Sequence, residues 1–448
     1  MNNQGPIRDA RTLGVPKMLI LGLQHMFAMF GATVLVPILV QGYGLPLSIQ
    51  TTLFFAGIGT LFFHVCTKLK IPAFLGSSFA YLGGFSAVAE LDSGIYAGMT
   101  GEEKLPYALG GIVVAGLLYL VLAGLIKLVG VHKVMRFLPP VVTGPIIILI
   151  GLSLAPSAIN NASTNWWLAI LSIAVIVAAN IWGRGMIKII PILLGVLIPY
   201  AVALVTRQVD FSGVAAADFV GLQPFVLAKF DLTSILVMAP IAIAAMMEHI
   251  GDMSAISATV EENFIEDPGL HRTLIGDGIA TSLAGMFGGP ANTTYGENTG
   301  VLELSQVFDP KVVRLAAVYA VVLSFSPKFA AVINSIPTAI IGGVSFILYG
   351  MISAIGVRNV VENRVDFTNS RNLIIAAVIM VCGLGFKIWG FSNEFSGLTF
   401  HIGGTDITLT SLAIAAIAGI ALNAILPGKD YEFGSDVTQG RSGDFGRY

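Results

Sequence analysis

Apolar stretches of membrane-spanning length recur along this chain. They lie near residues 18–40, 47–67, 105–129, 137–157, 165–183, 187–206, 232–256, 270–287, 312–333, 337–356, 372–390 and 406–426. A hydrocarbon layer about 30 Å thick takes about 20 apolar residues of helix to cross. Inside it every backbone polar group must find a partner, which restricts such a chain to helices packed on helices or to a closed barrel. Stretches this long and continuous choose the helix. With 11% charged residues and a mean hydropathy of +0.84, the chain reads as an integral membrane protein. Its net charge of −2 points to no charged partner, and nucleic acid is not expected. Cys66 and Cys382 both fall inside expected spans, so no disulfide framework is implied. The polar start, residues 1–17, leads into a long span without a cleavable-signal pattern.

Two further segments, 72–90 and 290–306, are shorter and interrupted. Each opens with Pro and is crowded with Ser, Thr and Gly. Counting them gives fourteen crossings. The distribution of basic residues agrees with that number. With the N-terminus inside, all but five of the 24 Lys and Arg fall on the cytoplasmic side, the exceptions being Lys104, Arg207, Lys229, Lys328 and Lys387. Both termini are therefore expected in the cytoplasm, with a disordered polar tail over 428–448.

The chain also echoes itself. Gln24-His25-Met26-Phe27 resembles Glu248-His249-Ile250-Gly251, Pro72…Gly76-Ser77-Ser78-Phe79 resembles Pro290…Asn292-Thr293-Thr294-Tyr295, and Leu138-Pro139…Gly144 resembles Ile336-Pro337…Gly342. The pairs keep their order at roughly 200–225 residues apart, so two halves of seven crossings follow, and an odd number inverts the second half. Interrupted segments at matching places in inverted halves point to a binding site near the bilayer midplane.

The most informative stretch is Gly288 to Gly300, which reads Gly-Gly-Pro-Ala-Asn-Thr-Thr-Tyr-Gly-Glu-Asn-Thr-Gly. It is expected to be a loop turning into a helix inside an apolar protein. Such a break is tolerated only where protein or a water-filled cavity surrounds it. The helix start aims N–H groups and a positive dipole end at whatever lies there, and Glu297 stands in its first turn. Glu248 and Asp252 are one helical turn apart on a single face of another span. Two acids so close disfavour double ionisation, which suggests a proton-binding element. Gln24 and His25 are candidates for lining the same site. Phe79 and Tyr295 flank the two breaks, where a flat ligand could stack. His249 and Asp277 read as helix-bracing groups. Zinc, phosphate-loop and serine-hydrolase motifs are absent, so neither metal nor cofactor is expected and active transport would draw on an ion gradient.

At these residues the chain resembles the nucleobase–ascorbate transporter family, most closely its bacterial uracil:proton symporter branch. The resemblance is carried by Leu23 to Pro37, Ile71 to Ala80, Glu248-His249-Ile250-Gly251, Asp267 to Arg272 and Asn292-Thr293-Thr294-Tyr295-Gly296-Glu297-Asn298. It implies a core domain of 1–133 and 232–335 and a gate domain of 134–231 and 336–427. Segments 3 and 10 would each be a short strand plus a half-helix. It further implies elevator-like transport in a homodimer of the bacterial inner membrane. Glu248 and Glu297 would hold the base by side chains, and Phe79 and Gly296 by backbone amides, with Tyr295 beside them. His25 would support the site. The residues themselves add Gln24 and Asn298 as supporting candidates, and the one-turn spacing of Glu248 and Asp252 makes that pair the expected proton-coupling element. Asp252 stands where close uracil relatives carry His, and Ser305-Gln306 replaces the usual end of the family signature.

The chemistry of uracil suits this set. Its edge alternates carbonyl acceptors with N–H donors, which carboxylates and helix N-termini complement, and a polar site rejects a mismatched pattern by leaving its own groups unpaired. Xanthine or another purine is the second expectation. Anion exchange on a related fold and an intramembrane enzyme using the acid–His cluster are readings from other classes.

Overall fold

The computed structural model describes residues 6–428 apart from 93, 131–132, 135, 394–396 and 403–404. The expected disordered tail, from 429 on, lies outside the described residues. The chain is mostly helical. In order it forms α1 (Val15–Gly42), α2 (Ile49–Cys66), β1 (Leu75–Ser77), α3 (Leu82–Glu90), α4 (Gly101–Val129), α5 (Pro140–Ser163), α6 (Trp166–Ile181) and α7 (Pro191–Val205). Next come α8 (Ile241–Val260), α9 (Leu270–Met286), β2 (Asn292–Thr294), α10 (Gly296–Ser305), α11 (Pro310–Ser324), α12 (Pro327–Asn334) and α13 (Thr338–Glu362). The last elements are α14 (Ser370–Asn393), β3 (Gly397–Ile402), β4 (Thr405–Thr410) and α15 (Ser411–Ile425). Among the described residues seven helices are long and apolar enough to cross a membrane, or eight if α11 and α12 are one bent span. On α4, Leu117, Val121 and Leu125 fall four apart and lie exposed, an apolar outer stripe suited to lipid.

Local chemistry starts and stops these helices. Thr100 and Glu103 form a reciprocal capping box at the head of α4, satisfying N–H groups the helix itself leaves unpaired. Packing then depends on close approach. A methyl on Gly116 would meet the Gly278 carbonyl at 2.5 Å, and one on Gly278 would meet the Gly116 carbonyl at 2.6 Å. The pair lets α4 and α9 touch backbone to backbone, as membrane helices do when small residues face each other.

Three expectations are corrected. The apolar run 312–333 is not one helix: α11 and α12 meet at 89°. Pro327 cannot donate an N–H and pushes Ser326 out of helical geometry, and the Ser326 hydroxyl caps the new helix by accepting from Phe329 N. The run 406–426 begins as strand, because Thr405–Thr410 is rich in β-branched residues (Thr405, Ile407, Thr408 and Thr410) and pairs antiparallel with β3. Thr410 then caps α15. The fold is therefore not purely α-helical, since this hairpin joins the two short strands expected at the breaks. Finally, α6, α7 and α15 are shorter than the apolar runs that contain them.

Candidate functional site

Both interrupted segments become a short strand followed by a half-helix. β1 and β2 cross as an antiparallel pair, with Leu75 opposite Thr294, Gly76 opposite Thr293 and Ser77 opposite Asn292. The pairing satisfies backbone groups that no helix serves, and side chains complete it. Thr60 Oγ1 accepts from Leu75 N at 2.9 Å, and Thr281 Oγ1 accepts from Asn292 N at 3.1 Å. Beyond β1 the chain makes a single tight turn, Phe79–Tyr81, and enters α3. Beyond β2 it enters α10 at Gly296. Neither the Phe79 turn nor α10 has a side-chain cap, so their first N–H groups stay available as donors at positive dipole ends. A methyl built on Gly296 would meet nothing within 4 Å, which leaves room against the backbone there.

The acids gather at this crossing. Glu248, Asp252 and Glu297 are each half-buried, and Glu248 lies within electrostatic reach of Asp252, Glu297 and Asp277. Among the described residues no salt bridge pairs Glu248, Asp252 or Glu297. Asp252 is held instead by a neutral donor: Thr294 Oγ1 donates to Asp252 Oδ2 at 2.8 Å. This bond ties β2 to α8.

The supporting residues separate into those the structure joins and one it does not. Asn298 Nδ2 lies 3.1 Å from His25 Nδ1 and donates to the His25 carbonyl at 3.0 Å. Two acceptors facing one amide orient its NH2 toward them, so His25 Nδ1 accepts and the ring proton sits on Nε2. His25 is fully buried, and its Nε2 has no partner among the described residues. Gln24 is half-buried and forms no side-chain hydrogen bond among those residues. His249 and Asp277, read as bracing groups, meet: Nδ1 lies 3.0 Å from Oδ2 with both side chains fully buried. Tyr295 turns into the strand crossing, where its hydroxyl donates to the Ser77 carbonyl at 2.9 Å. Its ring covers Gly76, where a methyl would come within 2.3 Å of it.

Tyr81 and Tyr119 are additions that sequence reasoning missed. Both hydroxyls are buried without a partner among the described residues and lie within electrostatic reach of Asp277 and Glu248. Tyr81, two residues after Phe79 at the head of the half-helix, carried the signal; Tyr119, in the middle of an apolar span, carried none. Together the site offers two carboxylate acceptors, Glu248 and Glu297, and two helix starts as donors. That set complements a small planar ligand whose edge alternates N–H and carbonyl groups.

Comparisons with known proteins agree on the lineage. The model of the Permease family matches residues 16–390. The uracil permease of Bacillus caldolyticus is 41% identical over 438 residues, covering 94% of this chain and 94% of its own length. The uracil permease of Bacillus subtilis is 39% identical over 424 residues, covering 90% and 91%. In three dimensions the chain is similar to the transmembrane domain of the cyanobacterium bicarbonate transporter BicA. The TM-score there is 0.56 at 15% identity, over 80% of this chain and 97% of that one. It is also similar to the murine solute carrier 26 family member A9 anion transporter in its inward-facing state, with a TM-score of 0.58 at 10% identity, over 88% and 72%. At such identities the likeness is one of fold alone.

Proposed function

The chain belongs to the permease family, the nucleobase–ascorbate transporters its motifs resemble, and from that premise we propose that this multi-pass membrane protein carries uracil inward as a proton-coupled symporter. The observation that carries the reading is the meeting of Glu248 and Glu297 with the uncapped starts at Phe79 and Gly296. Glu248 and Glu297 accept from ring N–H groups. The Phe79 and Gly296 amides donate to ring carbonyls. Tyr295 holds the crossing beneath them, and His25 with Asn298 and Gln24 supports it. Glu248 takes up the coupled proton, with Asp252 beside it.

The mechanism we propose is an elevator. A core of 1–133 and 232–335 slides against a gate of 134–231 and 336–427, built from fourteen crossings in two inverted halves. Packing supports this division: α4 lies on α9 within the first set, and α5 on α13 within the second. The protein would work as a homodimer in the bacterial inner membrane with both termini cytoplasmic. That the relatives are named permeases supports transport over catalysis.

Two other readings are weaker. Xanthine or another purine would need a longer slot beside the same acids. Anion exchange conflicts with three carboxylates around one site. The test is binding of radiolabelled uracil to purified protein with xanthine as competitor, followed by uptake into proteoliposomes under an imposed pH gradient, with and without sodium. Uracil binding that xanthine displaces only weakly, and accumulation that a protonophore abolishes, are the expected results. Accumulation driven by sodium alone would overturn the proton coupling, and xanthine outcompeting uracil would overturn the substrate.

A further inference from the structure

Away from the strand crossing, on the face the basic residues assign to the cytoplasm, lies a cavity of about 110 Å³. It is enclosed by the start of α5, the loop from α13 to α14, and the last turn of α15. Its charged lining is Arg136, Arg364 and Arg371 against one acid, Asp366. The acid is already engaged by its own loop: Asp366 Oδ1 accepts from Thr368 N at 2.8 Å and from Thr368 Oγ1 at 2.7 Å. The arginines are not neutralised in this way. Arg371 donates to the Asn423 carbonyl at 2.9 Å and to Asn423 Oδ1 at 2.8 Å, both uncharged acceptors. Among the described residues Arg136 and Arg364 form no ion pair and no side-chain hydrogen bond. Arg364 also holds a left-handed backbone conformation, φ 50°, just past the end of α13, a place a glycine would occupy more easily. The wall is completed by Pro139, Pro140 and Val141 at the positive end of α5, a helix with no side-chain cap.

We propose that this cavity binds a phosphate group, carried either by a free phosphate ester in the cytoplasm or by the headgroup of an anionic phospholipid. Guanidinium groups match phosphate oxygens in paired hydrogen bonds, and an excess of arginine over acid around one cavity leaves positive charge to be met. Basic pockets between membrane helices at the cytoplasmic face meet headgroups in the same way. A ligand there would join the ends of α5, α13, α14 and α15, so binding would brace the part of the protein proposed as the gate. Uracil is neutral and takes no part in this site, so the inference stands apart from the transported substrate.

The test reads the thermal unfolding midpoint of the purified full-length protein in two arms. In one, inorganic phosphate replaces chloride at constant ionic strength, since exposed charges are screened by salt. In the other, the protein sits in nanodiscs of phosphatidylglycerol or of phosphatidylcholine. The expected result is a midpoint that rises in at least one arm and ceases to rise in Arg136→Ala/Arg364→Ala, with apparent affinity lowered by about tenfold or more. Both residues are exposed and unpaired among the described residues, so the variant's midpoint in chloride should match the wild type. Asp366→Asn keeps an oxygen for Thr368 and removes the opposing charge, so it should enlarge the rise. A response to free phosphate identifies a soluble ester, and a response to phosphatidylglycerol alone identifies the headgroup. A rise of equal size in wild type and double variant, or no rise in either arm, overturns the proposal.

Discussion

Thr294 donates its hydroxyl to Asp252 across 2.8 Å, joining the strand that ends at one helix start to the helix that carries Glu248. Positioning of Asp252 thus depends on a strand residue outside the set expected to hold the base. Thr294→Val keeps the β-branched shape and removes the donor. The unpaired carboxylate oxygen should cost about 1–3 kcal/mol of stability. Uracil uptake should fall as Asp252 loses its anchor. Unfolding midpoint and uptake measured together check this, and wild-type values in both would remove the bond from any functional role.

Asp252→Asn asks a different question of the same contact. The amide oxygen can still accept from Thr294, so the fold should hold, but the side chain can no longer carry a proton. Uracil binding should stay within about threefold, below 1 kcal/mol. Accumulation driven by a pH gradient should drop. Full accumulation in this variant would assign coupling to Glu248 alone.

Glu297→Gln replaces an acceptor oxygen with a donor in the first turn of α10. Facing a ring N–H, it trades a charge-assisted hydrogen bond for a mismatch, at a cost of roughly 2–4 kcal/mol in uracil affinity. The protein should still reach the membrane and keep its unfolding midpoint. Equilibrium binding decides the matter, and near-normal affinity would move the base away from Glu297.

Hydropathy made the helices legible because lipid sets their length, and the Pro- and Ser/Thr-rich interruptions made the half-helices legible because only polar side chains can serve freed backbone groups. The β3–β4 hairpin escaped for the complementary reason. Averaged hydropathy is blind to the alternation of Ile407 and Leu409 with polar neighbours in Thr405–Thr410, and a strand lying against the following apolar run reads as the start of that span. Pro327 was visible as a residue, but the 89° bend it introduces depends on Ser326 capping α12. Within the site, sequence supplied the acids and left out their partners. Asp252 and Thr294 are 42 residues apart, and His25 and Asn298 are 273 apart. No local spacing announces such pairs, because they exist only once the strands cross. His249 and Asp277 were each read as bracing, and the structure shows that they brace each other.

Tyr295 offers the sharpest separation of architecture from recognition. Its hydroxyl donates to the Ser77 carbonyl at 2.9 Å, and its ring lies over Gly76, so hydroxyl and ring both serve the strand crossing. Tyr295→Phe should keep the ring on Gly76 and leave a buried carbonyl without its donor. The expected cost is about 1–2 kcal/mol of stability, with uracil affinity, measured well below the unfolding midpoint, changed by less than about threefold. Gly76→Ala attacks the same contact from the other side. Its methyl would stand 2.3 Å from the ring, with Thr33 Oγ1 at 2.8 Å behind it, so the strands must part and the folded yield should collapse. A Tyr295→Phe protein with unaltered stability and a uracil affinity lowered tenfold would show that the hydroxyl reads the ligand and not the crossing.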